Sequence, residues 1–250
     1  DVLGSRGLGD VYKRQSIFLE KGVFMAKVRD LVSGLTHCIG AALSLVGLVL
    51  LIVFSSIWGD AYDIVSFTIF GTALFLLYLF STLYHWLNIG EKGIRVFKKF
   101  DHIMIYVLIA ATYTPICLGP MRGPWGWSIF GIIWGFAILG IILTAVWIKA
   151  PRALTTSIYL AMGWVVLIAI YPLFKVFQEA NLLYSLAWLV AGGIFYTIGG
   201  LIYGLKWPNL NLKHFGFHEI FHIFVMLGSA CHFWFILILS LIHISEPTRP

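Results

Sequence analysis

The chain has 250 residues, of which 60% are hydrophobic and only 11% are charged, and its formal net charge is +6. This composition excludes an ordinary water-soluble domain, in which roughly a quarter of the residues are charged and one core could not bury so much apolar surface. The positive charge does not indicate nucleic-acid binding, because the basic residues lie in short segments between apolar runs. The composition therefore predicts an integral membrane protein.

Both ends of the chain are expected to lie outside the natural fold. The codons GAT GTG TAT AAG AGA CAG encode DVYKRQ, and their reverse complement encodes LSLIHI, so residues 1–15 and 239–250 are interpreted as one sequencing adapter translated from opposite strands. This interpretation removes His243 as a candidate ligand. Residues 16–24 are interpreted as a translated leader, since a ribosome-binding sequence can be encoded just before Met25. The membrane domain is therefore assigned to residues 25–238.

Seven apolar stretches are long enough to cross a hydrocarbon core, which requires about 20 helical residues. They predict an all-α protein that forms one seven-helix membrane bundle, with short connections and antiparallel neighbours. Pro115 and Gly119 are expected to kink or end the third helix. The predicted helices lie near residues 36–57, 64–87, 102–119, 126–148, 153–174, 183–205 and 215–238.

Lysine and arginine in short loops predict the orientation, since they are retained on the cytoplasmic side. The segment 88–100, expected to be a loop, is the strongest indicator, whereas the loop after the first helix contains only Asp60 and Asp63 as charged residues. The pattern predicts a cytoplasmic N-terminus, an external C-terminus and, for a bacterial protein, a place in the cytoplasmic membrane. The basic residues of segment 88–100 are Lys92, Arg95, Lys98 and Lys99.

Ionisable side chains inside membrane spans are costly, so their positions indicate function. Cysteine and tyrosine apart, the predicted fourth, fifth and sixth helices contain none. The predicted topology brings most of the remaining ones to the cytoplasmic ends of the first, second, third and seventh helices. The set consists of His37, His85, His102, His218, Glu219, His222 and His232, with Asp101 at the start of the third helix.

His218 and His222 have the i, i+4 spacing that places two side chains on one helix face, about 6 Å apart at Cβ. Two such imidazoles can bind one Zn²⁺, and His85 would supply a third nitrogen. Three protein ligands leave a fourth position for water, as in catalytic zinc sites. Ser81 lies one turn before His85 on the same face, and Asp101 could reach the metal-bound water or orient a ligand.

Simpler interpretations exist for each residue taken alone. An interfacial histidine often snorkels, an HxxxH pair can cap a helix, and a helical serine usually packs against a neighbour. Asp101 could pair with Lys98 or Lys99, and Glu219 is expected to face the headgroups or a residue behind the ligands. His232 lies roughly 20 Å deeper than His218 along the same face. These interpretations do not account for the depth that the other polar residues share.

Four stretches resemble the hemolysin III branch of the progestin and adipoQ receptor (PAQR) family, seven-helix proteins akin to the alkaline ceramidases. The resemblance covers all seven predicted helices. Its distinctive features are the SxxxH pair, the downstream aspartate and the HxxxH pair with a further histidine ten residues on. The stretches are DLVSGLTHCIGAALS (30–44), STLYHWL (81–87), RVFKKFDHIMIYVLIAATYTP (95–115) and GFHEIFHIFVMLGSACHFW (216–234).

The resemblance implies a Zn²⁺ near the cytoplasmic face. By motif position its ligands are His85, His218 and His222, with Ser81 and Asp101 close to the metal-bound water. The first motif of the family usually reads Glu-x-x-Asn-x-x-x-His. In this chain the motif departs from that pattern: Ser33 stands at the Asn position, Asp30 at the Glu position in a shifted frame, and His37 is retained.

The favoured hypothesis is a zinc-dependent intramembrane hydrolase of a lipid amide or ester, with membrane lipids as its partners. Asp101 would act as general base or orient the water, and Ser81 would donate a hydrogen bond to the developing oxyanion. The resemblance suggests ceramide-like amides as substrates.

Three other classes are considered. A non-enzymatic sensor or regulator of lipid homeostasis would use zinc as a structural staple. A cytolysin, which the family name implies, is disfavoured because the chain has no polar, amphipathic form in which to travel through water. A zinc or proton transporter is disfavoured because only His232 lies deep in the membrane.

Overall fold

The computed structural model describes residues 28–147, 149–208, 210, 212 and 215–245, the last four by backbone alone. Residues 1–15 and 16–24, interpreted above as adapter and leader, lie outside this described part, as does the side chain of His243. The backbone of the last helix continues past residue 238, where the membrane domain was expected to end.

The described residues are almost entirely helical. Two short 3₁₀ segments, Val165–Ala169 and Leu183–Ser185, and one isolated bridge between Leu212 and Phe215 complete the regular structure of this part of the chain. The α-helices are α1 (Leu31–Trp58), α2 (Ala61–Trp86), α3 (Gly90–Leu118), α4 (Pro124–Val146), α5 (Arg152–Gly163), α6 (Ile170–Glu179), α7 (Leu186–Leu205) and α8 (Phe217–Ser245).

Within the described part of the chain, seven helical segments are long and apolar enough to cross a membrane, as predicted. The fifth consists of α5, α6 and the 3₁₀ segment between them, and the other six correspond to α1–α4, α7 and α8. Helix α3 is the most buried span, and large apolar side chains such as Leu43, Leu139 and Ile168 are exposed on the outer faces of others. Such faces suit contact with lipid acyl chains.

The third helix begins at Gly90, so the prediction that residues 88–100 form a loop was wrong. Its first turns carry aromatic side chains that pack against α2. The ring of Phe80 stacks on that of Phe100 at 4.8 Å and contacts that of Phe97 at 6.4 Å. This packing stabilises the charged segment as part of α3, because tertiary contacts stabilise helices more than intrinsic propensity does. Pro115 does not end α3, which continues to Leu118, immediately before Gly119.

The fifth span was predicted as one helix over 153–174, but the structure interrupts it between Gly163 and Ile170. Pro172 contributes to the break, since it has no N–H to donate to the carbonyl four residues earlier. The Tyr113 hydroxyl of α3 bridges the gap: it donates to the Gly163 carbonyl at 2.7 Å and accepts from the Val166 N–H at 3.0 Å. Backbone groups freed inside the membrane are thereby satisfied.

The spans pack in an antiparallel order. Helix α1 packs on α2 and α8, α2 on α3, α3 on α4, α5 on α7, and α7 on α8. We call the end at which α1, α3, α5 and α8 begin the basic end of the bundle. The basic residues there include Arg29, Lys92, Arg95, Lys98, Lys99, Lys149 and Arg152.

Candidate metal centre

Three histidines converge at the basic end, although they are far apart in the sequence. His85 lies in the last turn of α2, and His218 and His222 lie in the first turns of α8. One ring nitrogen from each lies within 4.8 Å of the others, and the Nε2 atoms of His218 and His85 are 3.2 Å apart. His85 and His222 are buried, with exposed fractions of 3% and 1%, and His218 is half-buried.

This spacing suits a tetrahedral metal ion. Two imidazole nitrogens that each lie about 2.0–2.1 Å from zinc at a tetrahedral angle are roughly 3.3 Å apart. The 3.2 Å between the His85 and His218 nitrogens agrees with that value. The three histidines could therefore hold a metal ion after small movements of their side chains.

Asp30 orients the ring of His85. Its carboxylate oxygen Oδ2 lies 3.2 Å from His85 Nδ1, and its backbone N–H donates to the His85 carbonyl at 3.0 Å. Asp30 occupies the N-cap position of α1, yet its side chain makes no capping hydrogen bond. An Nδ1–H donated to the carboxylate leaves the Nε2 lone pair free for a metal, the usual arrangement behind a histidine ligand.

Thr36 acts similarly on His222. The Thr36 hydroxyl donates its hydrogen to the Ser33 carbonyl at 2.9 Å, so at 3.3 Å it can only accept from His222 Nδ1–H. This tautomer again leaves Nε2 free. Sequence reasoning did not assign these roles to Asp30 and Thr36. The available signal was the spacing, because Asp30 lies two helical turns before His37 and so shares its face.

His37 supports the cluster but does not belong to the triad. Its ring stacks on that of His222, with centroids 3.6 Å apart and planes 11° apart, and it meets the Tyr78 ring edge-on at 5.0 Å. Neither ring nitrogen has a hydrogen-bond partner among the described residues. The stack restricts the orientation of the His222 imidazole.

Ser81 and Asp101 line the same cavity as the triad. The Ser81 hydroxyl is buried and has no hydrogen-bond partner within the described part of the chain. The Asp101 carboxylate lies 3.6 Å from His102 Nδ1, and the described ion pairs do not join it to Lys98 or Lys99. Lys99 instead donates to the Ala145 carbonyl at 2.7 Å. Both predicted reactive groups therefore face the cavity.

Glu219 connects α8 to α1 and is not part of the triad. Its carboxylate accepts from the Ser33 hydroxyl at 2.6 Å and from the Gly216 N–H at 2.7 Å. The second bond satisfies a free N–H at the start of α8, as in a capping box. Ser33, which stands at the Asn position of the family motif, thus fixes the start of α8 beside the ligands.

The triad lies at one end of an apolar cavity of about 460 Å³. Every span except α4 contributes to its walls, and His232 lies in its deeper part. His232 is ten residues past His222, roughly 15 Å along the helix axis, so it cannot join the same site. Its Nε2 lies 3.2 Å from the Leu189 carbonyl, and its ring fits against Gly192, where any side chain would overlap it.

The fold and the site together define an integral, multi-pass membrane protein whose buried histidine cluster at one bundle end could hold a metal ion. The family model described as Haemolysin-III related matches residues 25–233. The chain belongs to this family, as the resemblance predicted.

The chain is similar to several named proteins from bacteria and mammals. It is 41% identical over 208 residues to the Hemolysin-3 homolog of Bacillus subtilis, covering 83% of this chain and 92% of the relative. It is 40% identical over 209 residues to Hemolysin-3 of Bacillus cereus, covering 83% and 90%. It is 26% identical over 183 residues, 70% of each chain, to the human Monocyte to macrophage differentiation factor, a PAQR-family protein. The bacterial relatives and the seven apolar helices identify it as a multi-pass protein of the bacterial inner membrane.

Proposed function

We propose that this protein is a zinc-dependent hydrolase of an amide or ester bond in a membrane lipid. The observation that carries the proposal is the position of the triad at the polar end of an apolar cavity of about 460 Å³. The cavity is also lined by Ser81, whose hydroxyl has no hydrogen-bond partner among the described residues. Three imidazoles are a common ligand set for catalytic zinc. A cavity of this size accommodates the acyl chain of a lipid, while the amide or ester bond of that lipid lies near the membrane interface.

His85, His218 and His222 would hold the ion, with Asp30 and Thr36 fixing two of the rings. When bound, Zn²⁺ supplies a Lewis acid that activates water and polarises a scissile carbonyl. The remaining steps are assigned to Asp101 and Ser81, which line the cavity together with the triad.

Asp101 would take a proton from the attacking water and return it to the leaving nitrogen or oxygen as the bond to the carbonyl carbon breaks. Ser81 would donate a hydrogen bond to the carbonyl oxygen as its negative charge develops. Its free hydroxyl supports this role, because a buried donor without a partner is costly unless a ligand satisfies it. The products are a fatty acid and an amine or alcohol.

Metal analysis of the purified protein tests the site. Wild-type protein is expected to retain about one zinc per chain, and His218→Ala should lose most of it, because two imidazoles bind far more weakly than three. His232→Ala is the matched control, since that histidine lies outside the triad. Equal zinc in wild type and His218→Ala would remove the site.

Incubation of reconstituted protein with a panel of acyl amides, including ceramides, and acyl esters tests the reaction. We expect release of fatty acid by the wild type and a decrease in kcat of about 10²–10⁴-fold for Asp101→Asn, the range for loss of a general base. Zinc-loaded protein without turnover on any lipid would favour a sensor or regulator of lipid homeostasis. A metal ion held by the triad would cross-link α2 to α8, which is compatible with such a structural role.

A further inference from the structure

A second cavity lies beside the metal centre at the basic end. It has a volume of about 200 Å³ and is formed by the start of α3, the end of α4, the start of α5 and the end of α7. Its walls contain no aspartate or glutamate among the described residues. The polar groups on these walls include Lys98, His102, Lys149, Arg152, Thr155 and Tyr203.

Carboxylates of the described residues do not form ion pairs with the positive charges of this cavity, which we call the basic cavity. The ion pairs of the described residues join no carboxylate to Lys98, Lys149 or Arg152 within 4.0 Å, and the nearby Asp101 contacts His102. Cations grouped around one cavity create a positive potential that attracts an anion. The arrangement therefore favours a negatively charged ligand.

Arg152 has a guanidinium N–H group that can donate a hydrogen bond to such a ligand. Its guanidinium lies over the rings of Tyr203 at 4.6 Å and Phe217 at 5.5 Å, which fix its position. Its Nη1 atom is buried and has no hydrogen-bond partner within the described chain. A planar guanidinium held in one orientation matches the oxygens of a phosphate. Helix α5 also begins at this point without an acidic residue in its first turn, which favours an anion further.

We propose that the basic cavity binds the phosphate of an anionic amphiphile, of the phosphomonoester lipid type. It lies where the spans end, at the level of lipid headgroups. It also shares Lys98, His102, Arg152 and Tyr203 with the apolar cavity, so the two spaces adjoin. One molecule can place its phosphate among the cations and an acyl chain between the spans. The proposal does not depend on hydrolysis at the metal centre.

The test measures lipid binding to the purified full chain in neutral detergent. The probes are phosphatidic acid, diacylglycerol of the same chains and inorganic phosphate, and the readouts are native mass spectrometry and the unfolding temperature. We expect phosphatidic acid to bind and to raise the unfolding temperature, and diacylglycerol to do so far less. Arg152→Gln and Lys149→Gln should each weaken phosphatidic acid binding by about tenfold, the typical effect of losing one charge-assisted contact.

Lys92→Gln is the matched control, because it removes one positive charge from the same end but lines neither cavity. Lys149 is exposed, so its variant reports on binding even where Arg152→Gln impairs folding. Displacement of the lipid by equimolar inorganic phosphate would support the anion site and identify a free oxyanion as its ligand. Unchanged phosphatidic acid binding in both variants, with zinc content equal to that of the wild type, would overturn the proposal.

Discussion

Two side chains, those of Asp30 and Thr36, contact histidines of the candidate metal centre from the first turns of the bundle at the basic end. The Asp30 carboxylate lies at the N-cap of α1 but contacts His85, and the Thr36 hydroxyl can only accept from His222. Both contacts favour the histidine tautomer whose Nε2 can bind a metal. His85 and His222 are therefore oriented by two side chains at the start of α1.

Loss of the Asp30 carboxylate is expected to weaken zinc binding. Asp30→Ala should raise the zinc dissociation constant about 10–100-fold, the usual effect of removing a hydrogen-bond partner behind a histidine ligand. Competition with a fluorescent zinc chelator measures the constant. Asp60→Ala, at the opposite end of the bundle, should bind zinc as the wild type does. Wild-type affinity in Asp30→Ala would show that the contact does not orient His85.

The Asp60–Arg122 pair at the opposite end gives a pH prediction. Partial desolvation of Asp60 raises its pKa, but the Arg122 guanidinium at 2.7 Å and the N–H groups of Asp63 and Tyr62 outweigh it, so the pKa lies below its ordinary value. The pair therefore stabilises the fold above the unfolded pKa of about 3.9, and this contribution is lost as the pH falls through the lowered folded value. Because the pair is exposed, the effect should be small.

Unfolding temperatures between pH 7 and pH 3 check this prediction. The wild type should lose slightly more stability on acidification than Arg122→Gln, because only the wild type loses this ion pair. Identical pH profiles would mean that the pair contributes nothing measurable.

At the scale of helices, the interrupted fifth span is the element that departs most from a simple apolar helix. The break between α5 and α6 borders the apolar cavity, whose wall includes Gly163 and Val166. Its free backbone groups are satisfied by one hydroxyl from α3, that of Tyr113. In a continuous helix these backbone groups would bond to one another, and the Tyr113 hydroxyl would not be needed.

Removal of the Tyr113 hydroxyl is expected to destabilise the fifth span. Tyr113→Phe should lower the free energy of unfolding by about 1–3 kcal/mol, because it removes the partner of backbone groups that lie inside a membrane span. Thermal unfolding in detergent measures the change. Tyr184→Phe is the matched control, since Tyr184 is 62% exposed and should tolerate the same loss. Equal unfolding temperatures for the two variants would contradict the bridging role.

For the whole molecule, the charge distribution and the topology predict the same end of the bundle to be cytoplasmic. The candidate metal centre, the basic cavity and most of the described lysine and arginine residues share that end, whereas Arg122 lies at the other. The positive-inside rule then predicts that the candidate metal centre faces the cytoplasm. A substrate would reach it from the inner leaflet.

Thiol labelling in whole cells tests this orientation. In a variant with Cys38, Cys117 and Cys231 replaced by alanine, a cysteine in place of Arg122 should react with a membrane-impermeant maleimide added outside. A cysteine in place of Lys92 should react only after the membrane is opened, because that position is predicted to be cytoplasmic. The reverse pattern would invert the assignment of both cavities.

The sequence by itself determined the class of protein, the seven spans and the family, because hydropathy and the HxxxH spacing are local properties of the chain. The start of α3 and the break in the fifth span could not be predicted from such local properties. The first depends on Phe80 packing against α3, and the second on a tyrosine about fifty residues earlier.

Only the tertiary structure decided which side chains form hydrogen bonds with the histidines. It also decided which described lysine and arginine residues lie around one cavity without an ion-pair partner. The Asp30–His85 contact joins residues 55 positions apart, and the Thr36–His222 contact joins residues 186 apart. The basic cavity likewise combines α3, α4, α5 and α7. Such contacts depend on how the helices pack, which local patterns do not specify. The sequence thus indicated the candidate ligands, and the packing of the spans supplied their hydrogen-bond partners and the cavities around them.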